Sequence, residues 1–347
     1  MNKYFSFFFR RFLLLFFIFL VNIFSSNVFA DNEPGVSTFM YHRFDENKYP
    51  STSVTKEQFL DHINFVITNE IEVISLEKLI EVMKSDDTFE EKFIAFSVDD
   101  AYRSFYDIAW PIFKENNIPV TLFVSTESVD NQMKGYMSWD QISSFVNEGG
   151  TVGQHTSTHL HLPLNDKETI KSDILKSHKS FVKHLGFIPK LFAYPYGETS
   201  KLVIDVLEEF GIDHSFGQHS GVTSSYSNHY YLPRFSLNEN FGTIDRFIFA
   251  AKAYSLRIED FIPSEMYLVE NKKPNIEFTI IDDLKNNDLN CFSNPEGKWN
   301  KQIINKITSK RIQIQLAEAY SSGRGRLNCT TKIEDKWHWF GYQFIIK

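Results

Sequence analysis

Two adjacent aspartates end an apolar run in the stretch FIAFSVDDAYRSF, residues 93–105. Neighbouring carboxylates repel each other when both are ionised, so Asp99 and Asp100 need a positive partner nearby. Farther along the chain, the stretch GQHTSTH contains His155 and His159, four residues apart. Two histidines and one carboxylate are enough protein ligands for a catalytic divalent metal, with one position left for water. The sequence therefore predicts a metal site in which one aspartate binds the ion and the other accepts a proton.

Each of these motifs has a simpler interpretation when it is taken alone. An Asp-Asp pair at a strand end is commonly a solvated turn or a helix cap, and two nearby histidines are commonly surface residues. The metal interpretation depends on their occurrence together. Two further polar turns follow predicted strands, namely MYH, which ends at His42, and YPYGE, which contains Tyr196.

The elements that must position these residues alternate between strand and helix. Short apolar strands are separated by amphipathic stretches of helical period, a pattern typical of parallel βαβ units. About seven such units predict an α/β fold with a closed or nearly closed barrel, in which functional residues lie at the carboxyl ends of the strands. Strands are predicted at residues 37–42, 92–98, 118–125, 151–154 and 190–194.

The sequence changes character after about residue 257. The stretches RIQIQL and KWHWFGYQFII alternate polar and apolar residues, as antiparallel strands do, and turn-rich segments separate them. We therefore predict a barrel over residues 31–257 and a small β-rich, sandwich-like domain over residues 258–347. The two cysteines of the chain, Cys291 and Cys329, lie in this second part. In an exported protein an even pair predicts one disulfide, and two buried free thiols are the alternative.

Residues 1–30 have the pattern of a signal peptide. Three basic residues precede an apolar run that begins at Phe12, and the segment ends with Val28 and Ala30 at the spacing of a signal peptidase site. The apolar core is shorter than the ~20 residues that a membrane span needs. We expect cleavage after Ala30, export to the periplasm or the extracellular space, and no transmembrane span in the mature chain. An uncleaved anchor is the alternative.

The net charge of the chain limits which classes of binding partner are expected. The full chain has a formal net charge of −8, and without residues 1–30 the remaining 33 Lys and Arg against 44 Asp and Glu give −11. Nucleic-acid binding requires clustered basic residues, so this balance argues against it. A neutral or cationic substrate is compatible with it. The sequence does not predict an oligomeric state.

The motifs SVDDAYRSF, HTSTH and YPYG resemble, in this order, the first three motifs of the polysaccharide deacetylase family, carbohydrate esterase family 4, also called the NodB-homology domain. The resemblance covers roughly residues 35–255. It implies a distorted (β/α)7 barrel and an enzyme that removes acetyl groups from N-acetylated sugars, by hydrolysis of a carbon–nitrogen amide bond.

The resemblance also implies a role for each motif residue. Asp99 would be the general base, and Asp100, His155 and His159 would bind the metal. Zinc is the first expectation, with cobalt or another divalent ion as alternatives. The backbone N–H of Tyr196 would help to stabilise the oxyanion.

The resemblance does not give the acid that protonates the leaving amine from the three motifs alone. The family usually places it in a late Leu-x-His motif, and no such motif is evident here. Members with a permuted motif order, such as deacetylases of poly-N-acetylglucosamine, use a histidine on the first strand in a Tyr-His context. MYH matches that arrangement, so His42 is the expected acid.

Two positions depart from the family pattern. The third motif usually has an arginine before Pro-Tyr-Gly, where this chain has Ala193 and Tyr194. The arginine that would orient the base is therefore missing or comes from elsewhere, and Arg234 is the candidate. The residue after Asp-Asp is usually glycine and here is Ala101, which would be strained if the position requires a positive φ.

These observations predict a metal-dependent deacetylase that acts on an N-acetylated, exported or cell-envelope polysaccharide, with O-acetylated glycans as a further substrate class. A catalytically impaired glycan-binding protein on the same barrel is the alternative from another functional class. A related barrel enzyme that cleaves other C–N bonds, such as those of cyclic imides, is a third.

Overall fold

The structure is a computed structural model that describes residues 33–85, 87–284, 289–295 and 297–347. The predicted signal peptide lies outside the described residues. Within them, no helix has both the length and the apolar character required to cross a membrane.

A curled seven-stranded parallel sheet forms the first part of the chain. Its strand order is β8-β7-β6-β5-β4-β1-β9, so β8 and β9 are the two edges. This arrangement confirms the predicted distorted (β/α)7 barrel. The strands are β1 Val36–Tyr41, β4 Phe93–Asp99, β5 Thr121–Val124, β6 Thr151–Gln154, β7 Phe192–Ala193, β8 Ser215–Phe216 and β9 Phe235–Ser236, and a separate two-stranded ribbon joins β2 Arg43–Phe44 to β3 Ser53–Val54.

The strands of this sheet are mainly apolar because both faces of the sheet are buried. All six residues of β1 are buried, and β4 is buried from its second residue onward. Aromatic side chains fill the space between the sheet and its helices, for example Phe39 stacked on Phe247 with 4.3 Å between ring centroids. Parallel strands covered by helices on their faces have this character.

The helices begin and end where local signals place them. Thr55 and Ser138 each form a capping box with a glutamine three residues later, and Gly186 ends the longest helix in a left-handed conformation. The helices are α1 Lys56–Thr68, α2 Leu76–Lys84, α3 Trp110–Glu115 after a π-helical turn at Phe105–Ala109, α4 Thr126–Asp130, α5 Trp139–Asn147, α6 Lys167–Leu185, α7 Lys201–Glu209 and α8 Ile244–Lys252.

Residues 254–347, which we call the C-terminal β region, form two further sheets. One has the order β10-β19-β18-β14-β15, with β12 also paired to β19, and the other has the order β11-β13-β17-β16. The strands are β10 Tyr254–Ser255, β11 Ile258–Ile262, β12 Tyr267–Leu268, β13 Ile276–Ile280, β14 Asn290–Ser293, β15 Asn300–Lys301, β16 Ile303–Lys306, β17 Arg311–Gln315, β18 Gly323–Ile333 and β19 Lys336–Ile346.

In this region Cys291 of β14 lies directly opposite Cys329 of β18, and their sulfur atoms are bonded. One hydrophobic cluster contains barrel residues such as Phe192 and Val203 together with Phe278 and Phe344 of the C-terminal β region. Residues Glu33–Lys347 form one compact unit. The division into two domains at residue 257 therefore stays a prediction.

Candidate active site

Asp99, the last residue of β4, is held by Arg234, which directly precedes β9. Both side chains are completely buried. The Arg234 guanidinium donates from Nη1 to Asp99 Oδ1 at 2.7 Å and from Nη2 to Oδ2 at 2.9 Å. It also donates to Ser97 Oγ at 3.1 Å and to the Gly217 carbonyl at 2.8 Å. This two-bond geometry fixes the carboxylate plane as well as its charge.

The pKa of Asp99 follows from this pairing. Burial works to raise it, but the positive charge of Arg234, with smaller contributions from His155 and His42, lowers the pKa to about 2. Asp99 is therefore ionised across the whole working range of a hydrolase. Asp100 differs, since burial raises its pKa.

Asp100, His155 and His159 converge on one point. One ligand atom from each lies within 4.8 Å of the others. Asp100 Oδ1 lies 3.5 Å from His155 Nε2 and 3.3 Å from His159 Nε2. Ligands at 2.0–2.1 Å from a tetrahedral zinc ion lie about 3.3 Å from each other. The spacing therefore fits a divalent ion between them.

The hydrogen bonds of His155 show that this space suits a cation. Its Nδ1 lies 2.7 Å from the Ala193 carbonyl, which can only accept, so Nδ1 carries the proton. Burial lowers the pKa of His155 to about 3, so the ring is neutral and its Nε2 presents a lone pair. That atom is buried without a hydrogen-bond partner and faces a carboxylate oxygen. Two acceptors face each other favourably when a metal ion lies between them.

His42 follows β1 and lies beside the same pair of aspartates. Its Nε2 is 4.0 Å from Asp99 Oδ2, and the side chain is partly exposed to solvent. The residue after it, Arg43, is fixed between the rings of Tyr102 and Tyr49 and pairs with Glu46 at 2.7 Å. This cluster anchors the end of β1 next to the site.

Tyr196 lies in a short turn directly after β7. Its backbone is left-handed, with φ 59° and ψ 5°, and its ring packs edge-on against His159 at 4.3 Å between centroids. The His161 ring stacks parallel to the Tyr196 ring, with 3.8 Å between the ring centroids. The Nδ1–H of His161 donates to Glu198 at 2.7 Å. The turn is thus part of the site's wall.

Ala101, which stands where the family usually has glycine, has a left-handed backbone conformation. Its φ is +59°, after φ +75° at Asp100, so an alanine occupies a position that favours glycine. The residue is fully buried. The surrounding core therefore holds the strained turn that directs Asp100 towards the histidines.

Of the residues selected from the sequence for the site, all except Arg234 and the two cysteines lie at or after the carboxyl ends of barrel strands. Arg234, directly before β9, reaches Asp99 with its side chain. Two contributors were not selected from the sequence. His161 lies two residues after His159 in the same loop, and its Nδ1–H donates to Glu198. Gln343, far away in the chain, contacts the Tyr196 turn and has no sequence signal.

Comparison with known proteins agrees with this geometry. Residues 86–215 match the family model described as polysaccharide deacetylase. Within this segment, a little over a third of the chain, the sequence is similar to the polysaccharide deacetylase family.

A named relative is the poly-beta-1,6-N-acetyl-D-glucosamine N-deacetylase of Staphylococcus aureus. It is 26% identical to this chain over 219 residues, which cover 59% of this chain and 74% of the relative.

Solved structures share the barrel. The Streptococcus pyogenes deacetylase PplD in complex with acetate has a TM-score of 0.57 at 17% identity, and the match covers 62% of this chain and 97% of that one. IcaB from Ammonifex degensii has a TM-score of 0.55 at 21% identity, covering 64% of this chain and 99% of that one. At these identities the likeness shows the fold alone.

Proposed function

We propose that this protein is a metal-dependent hydrolase that removes acetyl groups from an N-acetylated polysaccharide. The observation that carries the proposal is the unpartnered His155 Nε2, which faces Asp100 and His159 beside a second carboxylate, Asp99, whose charge is fixed by Arg234. A structural ion pair would need the arginine but would leave the buried histidine nitrogen without a function.

The ligand set would be Asp100, His155 and His159, with zinc as the first choice because the set combines two imidazoles with one carboxylate. Bound there, a divalent ion would acidify water and polarise the acetyl carbonyl. Asp99 is the proposed general base. It stays ionised because of Arg234, and the two hydrogen bonds from that residue keep its carboxylate in one orientation.

The remaining steps use Tyr196 and His42. The hydroxide formed when Asp99 accepts the proton adds to the acetyl carbon, and the Tyr196 N–H is proposed to donate to the oxygen that becomes negative. The C–N bond then breaks, and His42 is proposed to deliver a proton to the departing amine. Acetate and a free amino group are the products.

The substrate class is supported by the relatives. The named S. aureus relative acts on poly-β-1,6-N-acetyl-D-glucosamine, so a glucosamine polymer carrying N-acetyl groups is the proposed substrate here, with O-acetyl esters as a second class to test. The N-terminal pattern and the paired cysteines support export to the periplasm or extracellular space.

The decisive experiment is acetate release by residues 31–347 loaded with zinc or cobalt. The substrates would be N-acetylglucosamine oligomers of different linkage and O-acetylated glycans. Asp99→Asn is the control, because the amide cannot accept the proton. Release by the wild type, lost in Asp99→Asn with metal content unchanged, would support the assignment.

Two other results would change the proposal. A wild-type rate in Asp99→Asn would eliminate Asp99 as the base. Glycan binding without acetate release by the metal-loaded protein would instead favour a binding protein on a deacetylase barrel.

A further inference from the structure

The turn that carries Tyr196 is strained and needs support. Tyr196 and Gly197 are both left-handed, with φ of 59° and 67°, and such a conformation at a tyrosine costs about 1–3 kcal/mol. Glycine is required at 197 for a second reason. A Cβ there would lie 2.4 Å from the backbone nitrogen of Gln218. Something other than local preference must therefore hold the Tyr196 peptide in place.

The support comes from strand β19 of the C-terminal β region. Gln343 is completely buried, and its Nε2 donates to the carbonyls of Tyr196 at 3.3 Å and Gly197 at 3.1 Å. The Tyr231 hydroxyl donates to the same Gly197 carbonyl at 2.9 Å. The side-chain oxygen of Gln343 accepts from Arg326 Nε at 3.1 Å, so its amide orientation is determined.

Strand β19 holds Gln343 in a fixed position relative to the Tyr196 turn. Gln343 lies directly opposite Arg326 in the β18–β19 ladder, so the arginine that orients it is its cross-strand neighbour. Gly341 allows the backbone of β19 to approach the barrel closely. A Cβ at this position would lie 1.8 Å from the carbonyl oxygen of Ser220. The strand and the barrel loop are thus in backbone contact.

We propose that Gln343 is a positioning residue for the reaction. The inference rests on the proposed function. Gln343 binds the carbonyls of Tyr196 and Gly197, so it restrains ψ of both residues and holds the left-handed turn in one conformation. The N–H of Tyr196, the proposed oxyanion donor, would then keep one direction because the turn that carries it does not relax. The C-terminal β region accordingly completes the active site by supporting its oxyanion turn.

The test compares Gln343→Leu with Gln302→Leu in the chain 31–347. Gln302 is a matched control because it is also buried in the C-terminal β region and also uses both ends of its amide, donating to the Asn300 carbonyl and accepting from the Ala317 N–H. It makes these bonds within its own region. A second variant, Gln343→Glu, keeps the size and the acceptor for Arg326 but removes the donor.

We expect Gln343→Leu and Gln343→Glu to lower kcat about tenfold or more, less than the loss of an oxyanion donor itself. KM and metal content should stay at the wild-type values. Hydrogen–deuterium exchange should be faster in the segment around Tyr196. Gln302→Leu should change neither kcat nor that exchange, even where it lowers the melting temperature.

Wild-type kcat in both Gln343 variants would overturn the inference, and so would unchanged exchange at the turn. The exchange measurement needs no substrate. It therefore separates a failure of this inference from a failure of the proposed function, which would appear as a wild type that releases no acetate while its turn still responds to the Gln343 variants.

Discussion

At the rim of the barrel six residues have left-handed backbone conformations, whereas strands β18 and β19 pair in register over eleven residues each. In that hairpin only the two-residue turn, Glu334 and Asp335, combines non-glycine residues with positive φ, as a tight hairpin requires. The rim residues are Asp100, Ala101, Thr156, His159, Tyr196 and Gly197. Left-handed backbone is thus concentrated in the turns that carry the candidate metal ligands and Tyr196, whereas the β18–β19 hairpin, which contacts the Tyr196 turn through Gln343, is regular.

A buried arginine–aspartate pair occurs in each region, and the pairs differ in geometry. Arg234 reaches Asp99 with both terminal nitrogens. Arg257 donates its Nε to Asp282 at 2.6 Å, and its own backbone N–H bonds the second carboxylate oxygen at 2.8 Å. The first pair orients a carboxylate beside a candidate metal site, and the second links the residue before β11 to the chain just after β13. Four predictions, with matched controls, test the roles of the two regions: the first concerns activity, and the other three concern stability in order of decreasing effect.

Arg234→Lys should have the largest effect on activity. A lysine keeps the charge but cannot make two parallel bonds, so Asp99 would lose its fixed orientation. We expect kcat/KM for acetate release to fall about a hundredfold, the cost that a small misplacement of a reacting group can have.

The matched control for that variant is Arg257→Lys, which makes the same change in the other buried pair. It should lower the free energy of unfolding while kcat/KM stays near wild type. Equal loss of activity in both variants would show that the two pairs do not differ in the way described.

Removal of the disulfide should affect stability alone. Cys291 and Cys329 are 38 residues apart, and the chain-entropy model gives a loss of about 3–4 kcal/mol for a loop of this length. The double substitution by alanine should lower the free energy of unfolding by this order in urea titrations. At 25 °C, in the absence of urea, kcat should be unchanged. A tenfold drop in kcat would mean that the disulfide shapes the active site as well.

A fall in pH should lower the free energy of unfolding because His62 is buried in its neutral form. This side chain is buried on α1, accepts from the Tyr41 hydroxyl and donates to the Gly242 carbonyl, and burial lowers its pKa to about 4. The unfolded chain binds this proton below about pH 6.5 and the folded chain does not, so stability is complete above that pH and decreases as the pH falls.

Between pH 7 and pH 5 the expected loss from His62 is about 2 kcal/mol. The measurement is urea unfolding at both pH values for the wild type and for His62→Gln, whose stability should depend less on pH. Other buried histidines contribute equally to both proteins, so the difference isolates His62. Identical pH dependence in the two proteins would contradict the prediction.

Ala101→Gly should have the smallest effect. Glycine relieves about 1 kcal/mol of left-handed strain but makes the unfolded chain more flexible by a similar amount. The free energy of unfolding should therefore rise by about 0.5 kcal/mol or stay unchanged, with full activity. Ala109→Gly, in the π-helical turn before α3, is the control and should lose about 1 kcal/mol. A loss of similar size at Ala101 would show that its side-chain packing outweighs the strain.

The sequence by itself determined the elements that depend on neighbouring residues. Helix α6, Lys167–Leu185, follows from local signals, since Asp166 caps its start and Gly186 ends it. The same holds for the motifs that end β4, β6 and β7, and hence for the metal-ligand candidates. The predicted barrel is confirmed, although β7, β8 and β9 are only two residues long, and strands so short have little periodicity to detect.

Only the tertiary structure decided which distant residues complete the site. Arg234 lies 135 residues from Asp99, and Gln343 lies 147 residues from Tyr196. A single sequence could suggest the arginine from its place at the end of a predicted strand, although the structure places it directly before β9, and the sequence contained no indication of the glutamine. Periodicity and capping are properties of neighbours along the chain. Arg234 meets Asp99 because β4 and β9 both flank β1 in the barrel sheet, and Gln343 meets the Tyr196 turn because the C-terminal β region packs against the barrel. Their roles stay predictions for the experiments above.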